Sequence, residues 1–201
     1  MGQDGEIDES KRSTIRRFAA LGAASPLVQI ASASESDAPD AIAGYLTATP
    51  GAHFSKIRDD LELGTGEAQH HLRRLEKAGA IESRKDGDYR RYFSAEQFSE
   101  FEQVTLGYLR RETPRGMIIT LLEEPAVSAG TIANRLDVSR PTVSKYATQL
   151  DEAGLLSRDE SYELEDPETV LLLLVRYADS FGDDAAALAT DASGLVEYSP
   201  D

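Results

Sequence analysis

Apolar positions along the chain fall into short runs whose period changes at definite points. In residues 55–83, SKIRDDLELGTGEAQHHLRRLEKAGAIES, Ile57 and Leu61 lie four apart, Leu63 stands alone, and Ala68, Leu72 and Leu75 recur at i, i+4, i+7. Each set occupies one face of a helix, so the stretch predicts two short helices joined by a tight turn that Leu63 plugs. Gly79 is placed to stop the second helix. AIESRKDGDYRRYF then switches to two β-prone runs around Asp86-Gly87, a hairpin signal. Upstream, residues 41–49 carry Ile42, Tyr45 and Leu46 on one face and end at Pro50-Gly51, which predicts a preceding helix.

The pattern returns 75 residues later, where residues 130–158, GTIANRLDVSRPTVSKYATQLDEAGLLSR, align with 55–83 without a gap. Leu46, Pro50, Ile57, Leu61, Leu75, Ala78 and Gly79 recur as Leu121, Pro125, Ile132, Leu136, Leu150, Ala153 and Gly154. A repeat of this period predicts two copies of one small domain. In the second copy Ser139 is placed to cap a helix and Pro141 to occupy its first turn, with Val143, Tyr146, Ala147 and Leu150 inward. A helix-turn-helix followed by a hairpin is the grammar of a winged helix. The expected fold class is therefore mainly α with small β-hairpin wings, an α+β chain of two tandem winged helix-turn-helix domains. The expected divisions are an N-terminal tail, disordered or a short helix, over 1–36, winged-helix domain 1 over 37–97, a connecting helix and winged-helix domain 2 over 98–166, and C-terminal helices with an acidic tail over 167–201.

Phe98, Phe101, Val104, Leu106 and Leu109 suggest the connecting helix, and Thr113-Pro114 reads as cap and first turn of a helix with Met117, Ile118, Leu121 and Leu122 on its core face. The second wing, LLSRDESYELED, is shorter and acidic, and matching Tyr89 to Tyr162 puts Glu163 and Leu164 where the first wing has Arg90 and Arg91. Residues 170–175 are apolar all round, which implies burial on every side. With an Ala-rich helix over 185–196, they point to dimerisation through the C-terminal region. Residues 11–34 read either as a degenerate twin-arginine export signal or as a short amphipathic helix. The helix is the preferred reading, and the expected location is cytoplasmic.

Charge complicates the picture. The 201 residues hold 36 Asp and Glu against 21 Lys and Arg, a net charge of -15 that opposes nucleic-acid binding. The excess of acid, with Arg far above Lys, suits solubility in a salt-filled cytoplasm, so the global value reports habitat as readily as partner. Residues 53–91 hold nine basic and eight acidic side chains, net +1, which leaves -16 for the rest. Residues 128–166 hold four basic and eight acidic. The absence of cysteine excludes disulfides, thiolate metal sites and a Cys nucleophile. No apolar run approaches the ~18 residues of a membrane span. His70 and His71 are helix neighbours about 100° apart and cannot chelate one ion together, and no phosphate loop, nucleophile elbow or paired-carboxylate motif is present. No cofactor, metal or enzymatic activity is expected.

DVSRPTVSKYATQLDEAGLL and GEAQHHLRRLEKAGAIESRKDGDYRRYF resemble the recognition helix and wing of the tandem winged-helix transcriptional regulators of halophilic archaea, in the group that includes MarR-like and ArsR-like repressors. The resemblance covers roughly residues 38–180. It implies a cytoplasmic regulator, in that group a repressor, whose partner is double-stranded DNA. Two unlike recognition helices suit two unlike half-sites, which a homodimer reads in two-fold arrangement. The sequence names no operator, sign of regulation or small-molecule effector.

On the first recognition helix, Gly66, Gln69, His70, Arg73 and Lys77 face outward with Arg74 to one side, and Thr65 and the preceding helix's Lys56 flank its N-terminus. Such a helix offers its N-terminal half to the major groove, where Gln reads adenine, Arg reads guanine, and a glycine permits close approach. Arg84, Lys85, Arg90 and Arg91 flank the hairpin tip, in reach of phosphates or the minor groove. The plainer reading is a solvated charged face balanced by Glu67, Glu76, Asp86 and Asp88. The second recognition helix offers Ser139, Arg140, Thr142, Ser144, Lys145 and Thr148 in acidic surroundings. The rival function is a protein-interaction adaptor that uses winged helices as docking surfaces.

Overall fold

The computed structural model describes residues 37–158 and 161–191. The readings of residues 11–34 and of the acidic tail lie outside them. The chain forms two compact units that meet in sequence between Ser99 and Glu100.

In the first unit, α1 (Ala38–Ala48) is followed by β1 (Ala52–His53), α2 (Phe54–Asp60), α3 (Thr65–Lys77), β2 (Ile81–Asp86) and β3 (Tyr89–Ser94). The antiparallel sheet has order β1-β3-β2. Its core is the stripe expected: Ile42, Tyr45 and Leu46 of α1 meet Ile57, Leu61, Leu63, Ala68, Leu72 and Leu75, with Ile81 and Tyr92 closing the sheet side. Each fully buried Leu or Ile here contributes about 1.5–3 kcal/mol of transfer free energy. Pairing of Asp86 with Tyr89 leaves Gly87 and Asp88 as a two-residue tip, and Gly87 takes φ 58 at the first loop position. This is a winged helix: three helices, a hairpin, and a short strand, β1, that joins the sheet beside β3. The sequence reading missed β1, because two residues carry no period. Phe98, assigned to the connecting helix, instead packs its ring edge-on against Phe93 at 6.0 Å.

The second unit comprises α4 (Glu100–Leu109), α5 (Glu112–Glu123), α6 (Ala129–Arg135), α7 (Arg140–Glu152), β4 (Leu156–Ser157), β5 (Glu163–Leu164), α8 (Pro167–Arg176), a 3-10 turn (Ala178–Ser180) and α9 (Asp183–Asp191). Its middle repeats the first unit's geometry at the sequence offset. Helices of 7 and 13 residues recur, and the turn residues Glu62 and Asp137 share a left-handed φ of 53° and 51°. The Leu63 amide donates to the Arg58 carbonyl at 2.9 Å as Val138 donates to Ala133 at 3.0 Å. After Gly79 and Gly154, both with φ near 70°, Ala80 and Leu155 donate back to Leu75 and Leu150.

Four expectations fail here, each for a local reason. Helix α5 begins at Glu112 with Arg111 as cap, so Thr113 is not the cap, although Pro114 keeps its expected place in the first turn. Tyr146 is only half-buried, its ring under the Lys145 ammonium at 5.6 Å. Leu164 pairs with Leu156 as Ser94 pairs with Ile81, which aligns Tyr162 with Tyr92 and not with Tyr89. In α8, Val170, Leu173 and Leu174 are buried, but Leu172 is 63% exposed, because a helix packed on one side against a core turns its opposite side outward.

Two arginines that the sequence reading passed over hold the C-terminal elements in place. Buried Arg115 chelates the Asp184 carboxylate at 2.8 and 2.9 Å and donates to the Leu109 carbonyl, while Arg110 stacks on Phe181 at 4.5 Å. Part of the acidic excess in this region is thereby neutralised internally.

Candidate nucleic-acid interface

Helix α3 is set by its own sequence. The Glu67 carboxylate accepts from the Gly64 amide at 3.2 Å, closing the N-terminus, and Ala68, Leu72 and Leu75 face the core. Thr65, Gly66, Gln69, His70, Arg73 and Arg74 are consequently exposed. Nothing lies within 4 Å of the position a Gly66 Cβ would take, so the fold itself has no need of glycine there. Lys56, exposed on α2, pairs with Asp60 at 2.8 Å, and Asp60 also accepts from the Tyr45 hydroxyl.

The hairpin sorts the four wing cations into two pairs. Strand alternation puts Lys85 and Arg90 on the face that also carries Ser83 and Tyr92, and the Ser83 hydroxyl donates to Glu76 of α3 at 2.5 Å. Arg90, Arg73 and Glu76 all act electrostatically on the Tyr92 phenol. Burial is the first cause that lifts the Tyr92 pKa above its ordinary 10.0, Glu76 adds to it, and the two arginines oppose it. Helix α3 and wing thus share one polar junction, to which Arg73 and Arg90 contribute; Gln69, His70, Arg73, Lys85 and Arg90 are all exposed.

Arg84 and Arg91 lie on the other face of the hairpin. Arg91 corrects the sequence reading: it is 3% exposed, bonded to Asp86 and donating to the Gly51 carbonyl at 3.0 Å, so it braces the wing and is not placed to touch phosphate. Its guanidinium lies under Tyr89, which stacks on His53 at 4.8 Å. The His53 Nδ1 accepts from the Lys56 amide as the cap of α2, so in the neutral ring Nε2 carries the proton. Neither role of His53 was legible, since a helix cap and a cross-strand partner are set by the fold around it.

His71 turns inward on α3, with a buried Nδ1 that has no hydrogen-bond partner. Burial, then His70, lowers its pKa from 6.5, so it is neutral near pH 7. Among the described residues no group of three or more His, Asp or Glu is arranged to hold a metal ion, and no helix is long and apolar enough to cross a membrane.

On α7 the candidates are largely engaged within the unit. Ser139 caps the helix by accepting from the Thr142 amide at 3.2 Å and bonds the Thr142 hydroxyl, and the Arg140 guanidinium folds over Gly130. Thr148 donates to the Ser144 carbonyl and accepts from Arg158 at 2.6 Å. Ser144 and Lys145 are exposed. Thr148 and Arg158 stand at the repeat positions of Arg73 and Ser83. At these positions the first unit has its cation on the helix, and the second has its cation just after β4.

Residues 36–106 match the HTH_HVO_0163_N family model, an N-terminal HTH domain. Over 119 residues the chain is 30% identical to a Methanocaldococcus jannaschii protein named "Uncharacterized HTH-type transcriptional regulator MJ1398", covering 59% of this chain and 30% of that protein. The chain thus spans about a third of the length of the curated relative it matches. Fold, exposed helix and both matches support the class of helix-turn-helix transcription regulators.

Proposed function

We propose that the chain is a sequence-specific regulator that binds double-stranded DNA through the first winged helix, with α3 in the major groove and Lys85 and Arg90 on flanking phosphates. The carrying observation is the shared junction at Tyr92, where Arg73 of α3 and Arg90 of the wing act on one group and Ser83 of the hairpin bonds Glu76 of α3. In this reading the units are tandem winged helices, the second with weaker or no DNA contact because its helix side chains are spent on caps and internal bonds. A cytoplasmic homodimer formed through the C-terminal helices suits the exposed Leu172. No catalytic step is part of the reading. The net charge of -15 favours the adaptor as the rival.

A gel-shift series separates them. Lys85→Ala with Arg90→Ala is expected to weaken binding about equally for all sequences, since phosphate contacts carry no base information, whereas Gln69→Ala is expected to relax the preference at one position. Wild-type protein that shifts no duplex from its own genome at any salt concentration would favour the adaptor.

A further inference from the structure

The second unit contains a concavity of about 400 Å³ walled by α5, β5 and α8. Leu121, Leu164, Leu171 and Tyr162 form apolar and aromatic wall, and among the described residues Glu163 and Glu168 are the charged groups of the lining, with no Lys or Arg. Glu163 is oriented by the Ser161 hydroxyl at 2.8 Å. The volume falls within the range typical of small-molecule sites, about 300–1,000 Å³. A hydrophobic ligand entering it loses water against leucine, and a positive charge on that ligand meets two carboxylates and an aromatic face, an arrangement that attracts cations and repels anions. We propose that this pocket binds a small hydrophobic cation, such as an aryl-alkyl amine.

The site stands whether or not the chain binds DNA, because its geometry lies wholly within the second unit. If the regulator reading holds, the pocket has a direct mechanical link to the second wing. One of its walls is β5, whose partner β4 leads into Arg158 and so to Thr148 on α7.

The test uses the full chain without DNA, in sodium chloride buffer, with isothermal titration of phenylbutylamine and of phenylvalerate, which share a phenyl group and chain but differ in charge. The amine is expected to bind with one site per chain and the carboxylate to give no measurable heat. Glu163→Gln with Glu168→Gln is expected to weaken the amine about tenfold. Leu171→Trp, which fills the pocket and keeps every charge, is expected to abolish binding while its circular dichroism melt stays near wild type. Should Leu171→Trp fail to fold, Leu122→Phe serves as the filling variant. Equal binding of both probes, or undiminished amine binding by the filled variant, overturns the proposal, the latter by assigning the heat to the acidic surface. Light scattering on the same samples supplies a further refutation: a wild-type dimer that binds no amine and turns monomeric on filling would give the pocket to a second copy of the chain.

Discussion

Arg90 and Arg91 are neighbours in sequence with opposite surroundings, because a strand sends successive side chains to opposite faces. Removing Arg91 takes one buried ion-pair contact from Asp86 and a donor from the Gly51 carbonyl. Arg91→Ala is therefore expected to cost about 1–3 kcal/mol in urea unfolding, and Arg90→Ala less than about 0.5. In DNA titrations the order reverses in kind: Arg90→Ala is expected to reduce the slope of log affinity against log salt by about one phosphate's worth, and Arg91→Ala to leave it unchanged. Equal slopes for the two variants would contradict the division of the wing into a DNA face and a braced face. His71 gives a second handle. Its folded pKa lies below its ordinary 6.5, so below that value the unfolded chain takes up the proton more readily. Stability is then full at higher pH and is lost as pH falls through about 6.5 and below. His71→Gln is expected to flatten that part of a melting-temperature profile, and an unaltered profile would assign the acid sensitivity to other groups.

At the level of elements, Gly66 offers the cleanest separation of fold from function. A helix glycine with nothing around its missing Cβ costs stability relative to alanine, so Gly66→Ala is expected to gain up to about 1 kcal/mol. If the first turn of α3 approaches DNA as closely as proposed, the same variant loses affinity. Gain in both would place DNA, if it binds, elsewhere on the helix. The helices themselves were legible because their apolar residues recur at 3.6-residue spacing: Ile57, Leu61, Ala68, Leu72 and Leu75 all lie in the core as read. The hairpin was legible from Asp86-Gly87, one position off its tip. What escaped depends on pairing across the chain. Strand β1 shows only when β3 lies beside it, Phe98 belongs to Phe93 and not to the helix that follows it, and the sides taken by Arg84, Lys85, Arg90 and Arg91 require the register of the hairpin. The exposure of Gln69, His70 and Arg73 could be read from the stripe opposite, yet the approach of Arg73 and Arg90 to the one Tyr92 phenol could not.

Over the whole molecule, the charge of -15 sets the conditions under which a basic face can work. An ordinary DNA binder loses affinity as salt rises by about one power of salt per phosphate neutralised. In the proposed complex carboxylates would approach the duplex with a handful of cations, and at 1 M salt, where the Debye length is about 3 Å, their repulsion would be screened. A shallow or positive dependence on potassium chloride is expected. Asp88, exposed at the wing tip, is the probe: Asp88→Asn is expected to steepen the slope toward the ordinary negative value. Asp86 is unsuitable, since it neutralises buried Arg91. A steep loss in wild type, the same in Asp88→Asn, would remove this explanation. The DNA-reading assignment itself is tested most directly by selecting bound fragments from a random duplex library at several salt concentrations, with wild type and with Gln69→Ala, Arg73→Ala in parallel. One enriched motif in wild type that the double variant no longer enriches is the expected result, and no enrichment by wild type at any salt would contradict it.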